Sequence, residues 1–370
     1  MATIGFVGLG TMGLCMARNL IKNGHQVIGF DFSEIAMDAH TKNGGEVASS
    51  AAEAAQNANF AITMLPNGTA TEEAVLGANG IADRLPKDSL IIDMSTIHPL
   101  ETDQIRKDLK RNGFSMVDAP VGRTSVEAEK GQSLFMVGAE KQDFKTVQPI
   151  LACMGDTIID CGGPGRGSRM KIVNNLMTTS LNVLTAQVLT FSDATGLDRD
   201  VALKVMAGTA AGKGHMSTTY PSKVLKGDLD PAFMIDLAKK DLDIAIKFSE
   251  VLGIPISLAL QAEKIYKEAQ EDEIVDGALQ DLHKAMREKA SKVMLSVVQE
   301  QSLAQIDMLR STLGRFDVLQ RKSEALQSKI DAYAKDMAYI YEHLQGVARS
   351  GGETGTVVAE LKLRISHRGK

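Results

Sequence analysis

The sequence predicts an α/β protein: a mostly parallel sheet wound with helices in the first half, an all-α domain after it, and an amphipathic, coiled-coil-like helix toward the C-terminus. Three observations carry this. Short apolar runs alternate with helical periods from Thr3 to Asp160, strand-like runs largely stop at Gly167, and an apolar 3-4 spacing returns between Phe316 and Leu344. With 370 residues, 44% hydrophobic and 24% charged, the chain can bury two cores, and disorder is not expected for its bulk. The expected divisions are 1–165 for the sheet domain, 166–290 for the helical domain, 291–349 for a helical extension and 350–370 for a loosely ordered tail.

The first strand, Thr3 to Val7, breaks into Gly8-Leu9-Gly10-Thr11-Met12-Gly13 and then a helical pattern closed by Asn23-Gly24. In a strand, glycine turn and helix, Gly8 permits the tight turn, Gly10 lets a pyrophosphate approach the backbone, and Gly13 lets the helix pack on the strand. That is the opening of a Rossmann-type dinucleotide site. The second strand, Gln26 to Phe30, ends in Asp31, placed to grip a ribose through its hydroxyls. A carboxylate there repels a 2'-phosphate and no Arg follows it, which favours NAD(H) over NADP(H). Asp31 could equally start the helix that begins near Ser33, and the two roles are compatible. Further strands are expected at 59–65, 89–93, 114–118, 133–137 and 157–160. Three strand ends hold residues where ligands of such sheets bind: Met64-Leu65-Pro66-Asn67, Asp93-Met94-Ser95-Thr96 and Asp118-Ala119-Pro120-Val121-Gly122-Arg123.

After the Gly- and Pro-rich loop from Cys161 to Arg166 comes a long helix in which Lys171, Asn174, Asn175 and Thr178 fall at i, i+3, i+4 and i+7 and share one face. Apolar residues occupy most of the remaining circumference, so the helix is expected to be buried and its polar stripe to have a use. An isolated Lys-x-x-Asn-Asn would read as two amides that satisfy neighbouring backbone and a lysine that snorkels to water; its neighbours argue otherwise. More helices are expected at 199–207, 232–252 and 255–270, forming a cap that folds over the open end of the sheet.

A net charge of -5 gives no sequence-independent attraction for nucleic acid or anionic lipid. Cys15, Cys153 and Cys161 form no Cys-x-x-Cys and suit a reducing compartment, the cytoplasm by default. There is no leader-like or membrane-length apolar segment, and His98, His215 and His283 lack ligand spacing, so no metal is expected.

The glycine turn, Asp-Met-Ser-Thr, Asp-Ala-Pro-Val, the Lys171-x-x-Asn-Asn helix and Phe233-Met234-Ile235-Asp236-Leu237-Ala238-Lys239-Lys240-Asp241-Leu242 occur in an order that resembles the β-hydroxyacid dehydrogenase family over roughly residues 1 to 270. The resemblance implies that Lys171 is catalytic, that Asn175 positions substrate, that Thr11, Met12, Leu65 and Thr96 line the NAD(H) site, and that Lys240 lies near the nicotinamide. Most members carry Ser-Gly-Gly after Asp-Ala-Pro-Val, whereas this chain has Gly122-Arg123-Thr124. With Ile92 to Leu100 and Gly208 to His215, this resembles a branch that reduces a short sulfonated aldehyde in sulfoglycolysis. Gly122, Arg123, Asn174, Asn175 and Thr178 would then hold the anionic end, a guanidinium fork suiting a sulfonate. A surface ion pair is the less favoured reading of Arg123. Reduction of a carboxylated semialdehyde is the nearest alternative activity, and a coiled-coil assembly protein with a vestigial dehydrogenase domain the alternative of a different class. The expected partners are the small anionic substrate and further copies of the chain. Nothing in the resemblance covers the apolar series Phe316, Leu319, Leu326, Ile330, Tyr333, Met337, Ile340 and Leu344, roughly 43 Å of helix.

Overall fold

A computed structural model describes residues 1–226, 234–271 and 286, and residues 324, 326–329, 331–335, 338–339 and 342. The chain divides into two compact units, Met1–Gly196 and Leu197–Lys370.

The first unit is built on the parallel sheet β3-β2-β1-β4-β5-β6, comprising β1 (Thr3–Val7), β2 (Gln26–Phe30), β3 (Glu46–Val47), β4 (Phe60–Thr63), β5 (Leu90–Asp93) and β6 (Ser115–Asp118). Helices α1 (Thr11–Lys22), α2 (Glu34–Lys42), α3 (Ala51–Ala55), α4 (Gly68–Leu76) and α5 (Pro99–Arg111) connect these strands. Alternation along β1 shows how the sheet is sandwiched. Ile4 and Phe6 join a core with Met16 and Leu20 of α1, while Val7 joins Ala55, Ile91, Ile105 and Leu109 in a second core. Gly5 faces the second core, where α3 passes so close that a Cβ would stand 2.5 Å from the Ala54 carbonyl oxygen.

The order reverses between β1 and β4, with β2 on one side of β1 and β4 on the other, which creates the switch point at which ligands of such sheets bind. A smaller sheet follows, β7 (Val121–Gly122), β8 (Ser133–Val137) and β9 (Gly155–Asp160), with β7 antiparallel and β9 parallel to β8. The bridge between Asp118 and Gly138 joins it to the end of β6. Helices α6 (Ser125–Glu129) and α7 (Lys141–Ala152) precede β8 and β9, and the 29-residue α8 (Arg166–Ala194) completes the unit.

The second unit is helical where described: α9 (Arg199–Gly208), α10 (Ala210–Lys213), α11 (Thr219–Ser222), α12 (Ile235–Leu252) and α13 (Ser257–Glu271). Gly253, at φ 66°, ends α12 in the left-handed conformation that glycine accepts best. Lys239 ties α12 to α13 by reaching Asp243 at 2.9 Å and Glu263 at 3.0 Å. The expected start of this helix at residue 232 lies outside the described residues. So do Phe316, Leu319, Ile330, Met337, Ile340 and Leu344 of the apolar series and all of 350–370; the described residues between 324 and 342 are helical, with Leu326 and Tyr333 exposed.

Two expectations need correction. Strands β3 and β7 were not foreseen, because two residues are too few to show a period. Helix α8 is not buried along its length: Val173 is 63% and Leu176 70% exposed, so an apolar circumference here does not mean a covered one.

Candidate active site

The site begins at the glycine turn. Gly8 has φ +98° and a Cβ on it would meet the Met64 carbonyl oxygen at 2.3 Å; a Cβ on Gly13 would meet the Gly8 carbonyl oxygen at 1.9 Å. Packing therefore requires both glycines. Gly10 differs: a Cβ there meets nothing within 4 Å, so the protein itself makes no demand for a glycine. The space above Gly10 is what a pyrophosphate needs, and it adjoins the start of α1, whose first turn has neither an acidic residue nor a side-chain cap. Thr11 is exposed and Met12 half-buried at that turn.

Asp31 follows β2. Its two carboxylate oxygens accept the Leu9 N–H at 2.7 Å and the Ser33 N–H at 2.8 Å, so it braces the glycine turn and Ser33, which caps the next helix in its place, while retaining lone pairs for ribose hydroxyls. Gly8, Asp31 and Leu65 line one cavity of 520 Å³ with Phe32, Ala70 and Asn79. Three residues assigned to the cofactor from sequence thus meet in space, and the donors and the open cradle fit the diphosphate and ribose of a dinucleotide. Phe32, 91% exposed beside Asp31, was not singled out from sequence, although an aromatic directly after the acidic residue was the available signal.

The loops after β4 and β5 are tied together. Buried Asp93 accepts from the Thr63 hydroxyl at 2.8 Å and the Ser95 N–H at 3.0 Å, and the Ser95 hydroxyl accepts the Leu65 N–H at 2.9 Å. Burial raises the Asp93 pKa, opposed by the bonds from Ser95 and Thr63. Thr96 stands exposed on the same loop. The His98 ring accepts the Leu100 N–H and caps α5.

Asp118, 2% exposed at the end of β6, sets the position of α8. One of its oxygens accepts the Gly165 N–H at 2.6 Å and the other the Ser168 N–H at 2.8 Å, at the start of the helix. Burial nevertheless raises its pKa. The Ser168 and Thr102 hydroxyls lie 2.8 Å apart, and Arg169 pairs with Asp103 at 2.6 Å. Gly167 allows the close approach, since a Cβ there would lie 2.3 Å from the Met136 carbonyl oxygen.

One turn along α8, half-buried Lys171 donates from Nζ to the Val121 carbonyl oxygen at 2.6 Å, and burial lowers its pKa. One of its three N–H bonds is so engaged, which leaves two for a substrate oxygen. Asn175 is half-buried, Asn174 and Thr178 are exposed, and the Asn174 amide donates to the Asn175 side-chain oxygen at 3.4 Å. Gly122 is buried, with the Met136 methyl 3.2 Å from where a Cβ would stand. Lys240, in the second unit, is exposed and bonded to Asp241 at 3.1 Å.

Arg123 makes the surface ion pair that was the less favoured reading of it. It pairs with Asp156 at 2.6 Å, donates to the Thr157 hydroxyl at 3.0 Å, and bonds the Gln132 carbonyl oxygen. Its backbone adopts φ 70°, which costs a non-glycine residue about 1 kcal/mol. That is the conformation expected of a position where most members of the family it resembles carry glycine. Among the described residues, no group of three or more His, Cys, Asp and Glu could hold a metal. No described helix is long and apolar enough to cross a membrane.

Comparison with known proteins matches both halves of this architecture. A family profile described as the NAD binding domain of 6-phosphogluconate dehydrogenase matches residues 3–163, and one described as NAD-binding of NADP-dependent 3-hydroxyisobutyrate dehydrogenase matches residues 165–287. The chain is 47% identical over 270 residues to 3-sulfolactaldehyde reductase of Escherichia coli (strain K12), covering 73% of this chain and 91% of that protein. It is 35% identical over 271 residues to mitochondrial 3-hydroxyisobutyrate dehydrogenase of Homo sapiens, covering 71% and 80%. Among solved structures, 3-hydroxyisobutyrate dehydrogenase of Mycobacterium tuberculosis with L-serine is similar at 28% identity and TM-score 0.55, over 78% of this chain and 99% of that one. An imine reductase of Myxococcus stipitatus in complex with NADP+ reaches TM-score 0.69 at 14% identity, over 76% and 99%, a likeness of fold alone.

Proposed function

Because the chain belongs to the β-hydroxyacid dehydrogenase family of NAD-dependent dehydrogenases and reductases, we propose that it reduces 3-sulfolactaldehyde to 2,3-dihydroxypropane-1-sulfonate with NADH. The observation that carries the chemistry is Lys171, half-buried and held by the Val121 carbonyl at the end of the Asp-Ala-Pro-Val segment. The cofactor, when bound, supplies the hydride that reaches the aldehyde carbon. As the carbonyl π pair moves onto oxygen, the Lys171 ammonium stabilises the growing negative charge and gives up a proton from Nζ, completing the alcohol. Gly8, Gly10, Gly13 and Asp31 hold the dinucleotide, with Thr11, Met12, Leu65 and Thr96 beside it. Arg123, Asn174, Asn175 and Thr178 hold the anionic end of the substrate so that its carbonyl faces the nicotinamide.

The choice of a sulfonate rests on the 47% identical relative and on Arg123, an arginine kept in a strained glycine-like conformation beside the lysine's anchor. The 35% identical relatives favour a carboxylated substrate as the second reading. Catalytic efficiencies for NADH oxidation with sulfolactaldehyde, succinic semialdehyde and an uncharged short aldehyde separate the two. A preference of tenfold or more for sulfolactaldehyde is expected, and a preference for the carboxylate would replace this reading with the second. Arg123→Ala should lower catalytic efficiency with the sulfonated substrate by about tenfold or more while sparing the uncharged one.

A further inference from the structure

The Arg123 ion pair is a built feature. Strand β9 pairs Gly155 with Ser133 and then Thr157 with Leu134, so Asp156 is the extra residue of a β-bulge, left out of the ladder. Such bulges re-aim a side chain. This one delivers the Asp156 carboxylate to Arg123 at 2.6 Å, although the two residues are 33 apart in sequence. Buried Gly155 permits the close pairing, since a Cβ on it would stand 2.3 Å from the Ser133 carbonyl oxygen.

The bonds form a closed ring. One terminal nitrogen of Arg123 donates to Asp156 and to the Gln132 carbonyl, the other donates to the Thr157 hydroxyl, and that hydroxyl donates to the same Asp156 oxygen at 2.7 Å. A guanidinium has five N–H donors. Three are engaged among the described residues, leaving Nε–H and the second hydrogen of the nitrogen that bonds Thr157. Those two lie parallel on the side-on edge of the fork, the geometry that grips two oxygens of a planar or tetrahedral anion.

We propose that Asp156 is a positioning residue for substrate selection: with Thr157 it clamps the end-on edge of Arg123 so that the side-on edge is presented to the anionic group of the substrate. The inference rests on the proposed role of Arg123. Fixing the fork in advance removes the rotamer freedom a long exposed arginine would otherwise lose when substrate binds. Asp156 thus acts on the charged substrate's affinity and not on the chemical step.

The test uses the full chain with NADH and two substrates, sulfolactaldehyde and an uncharged short aldehyde. Asp156→Asn should lower kcat/KM for the sulfonated substrate about tenfold, chiefly through KM, and change the uncharged substrate less than twofold. Asp156→Glu should restore part of the loss, and Thr157→Val, which removes one arm of the clamp, should show a smaller loss in the same direction. In an Arg123→Ala background, Asp156→Asn should add nothing. If Arg123→Ala reduces the charged-to-uncharged ratio and Asp156→Asn leaves it unchanged or raises it, Asp156 is a bystander or a competitor; the clamp is overturned and the role of Arg123 stands. Equal losses on both substrates, with a lowered melting temperature, would assign Asp156 to the fold and also overturn it. If Arg123→Ala itself spares the ratio, the role of Arg123 falls and the clamp with it.

Discussion

At Lys171 two demands meet: it must be charged to act as an acid, and its half-buried position disfavours the charge. Burial lowers its pKa, so the ammonium is lost at a lower pH than for a free lysine at about 10.4. The reductive rate should therefore be flat on the acid side of that pKa and fall as pH rises through it, with kcat/KM breaking below the pH at which an ordinary lysine loses its proton. A profile with no alkaline limb would remove Lys171 from the proton transfer. Lys171→Ala should reduce kcat by roughly 10²-fold or more while NADH affinity, read by fluorescence titration, stays within severalfold; wild-type turnover in this variant would refute the mechanism. At Asp31 the demand is selectivity between dinucleotides. Asp31→Ser combined with Phe32→Arg, at a side chain already 91% exposed, should shift preference toward NADPH by removing a repulsion and adding a phosphate partner. Because Asp31 also receives the Leu9 and Ser33 amides, some loss of melting temperature should accompany the shift. A wild-type protein that already prefers NADPH would contradict the assigned role.

The elements show which glycines serve the fold and which serve the ligand. Gly13→Ala would drive a methyl into the Gly8 carbonyl and should destabilise the first unit, whereas Gly10→Ala has open space and should fold normally yet bind NADH weakly. Melting temperature and dinucleotide affinity measured together check this, and a Gly10→Ala protein with normal affinity would mean that the pyrophosphate lies elsewhere. Much of this level was legible in the sequence: the glycine spacing marked the turn from β1 into α1, and the i, i+3, i+4, i+7 period placed Lys171 and its amides on one face. What could not be read is non-local. Asp118 caps α8 from 47 and 50 residues away, and Asp156 reaches Arg123 through a bulge; neither pairing leaves a local period. The exposure of Val173 and Leu176 was hidden for a related reason, since periodicity shows that a face is apolar without showing what covers it.

For the whole molecule, the chemistry and the length of the chain do not coincide. The second of the two matched profiles ends at residue 287, and every residue assigned to cofactor or substrate lies before Leu242, yet the chain continues to Lys370. Its last segment carries the apolar 3-4 series, of which Leu326 and Tyr333 are exposed on helix. A helix of that pattern gains stability by pairing its seam with another helix. Its effect should therefore fall on assembly, with homo-oligomers the proposed state, and not on turnover. Deleting residues 291–370 should leave kcat and KM within about twofold, because transition-state binding depends on groups that touch substrate or cofactor. Light scattering of the same protein should show a smaller assembly or lower solubility. If the truncated chain keeps its melting temperature and oligomeric state but loses catalysis, the tail completes the active site. If the full chain proves inactive with every aldehyde in the panel while still associating through this segment, the assembly protein with a vestigial dehydrogenase domain becomes the better account.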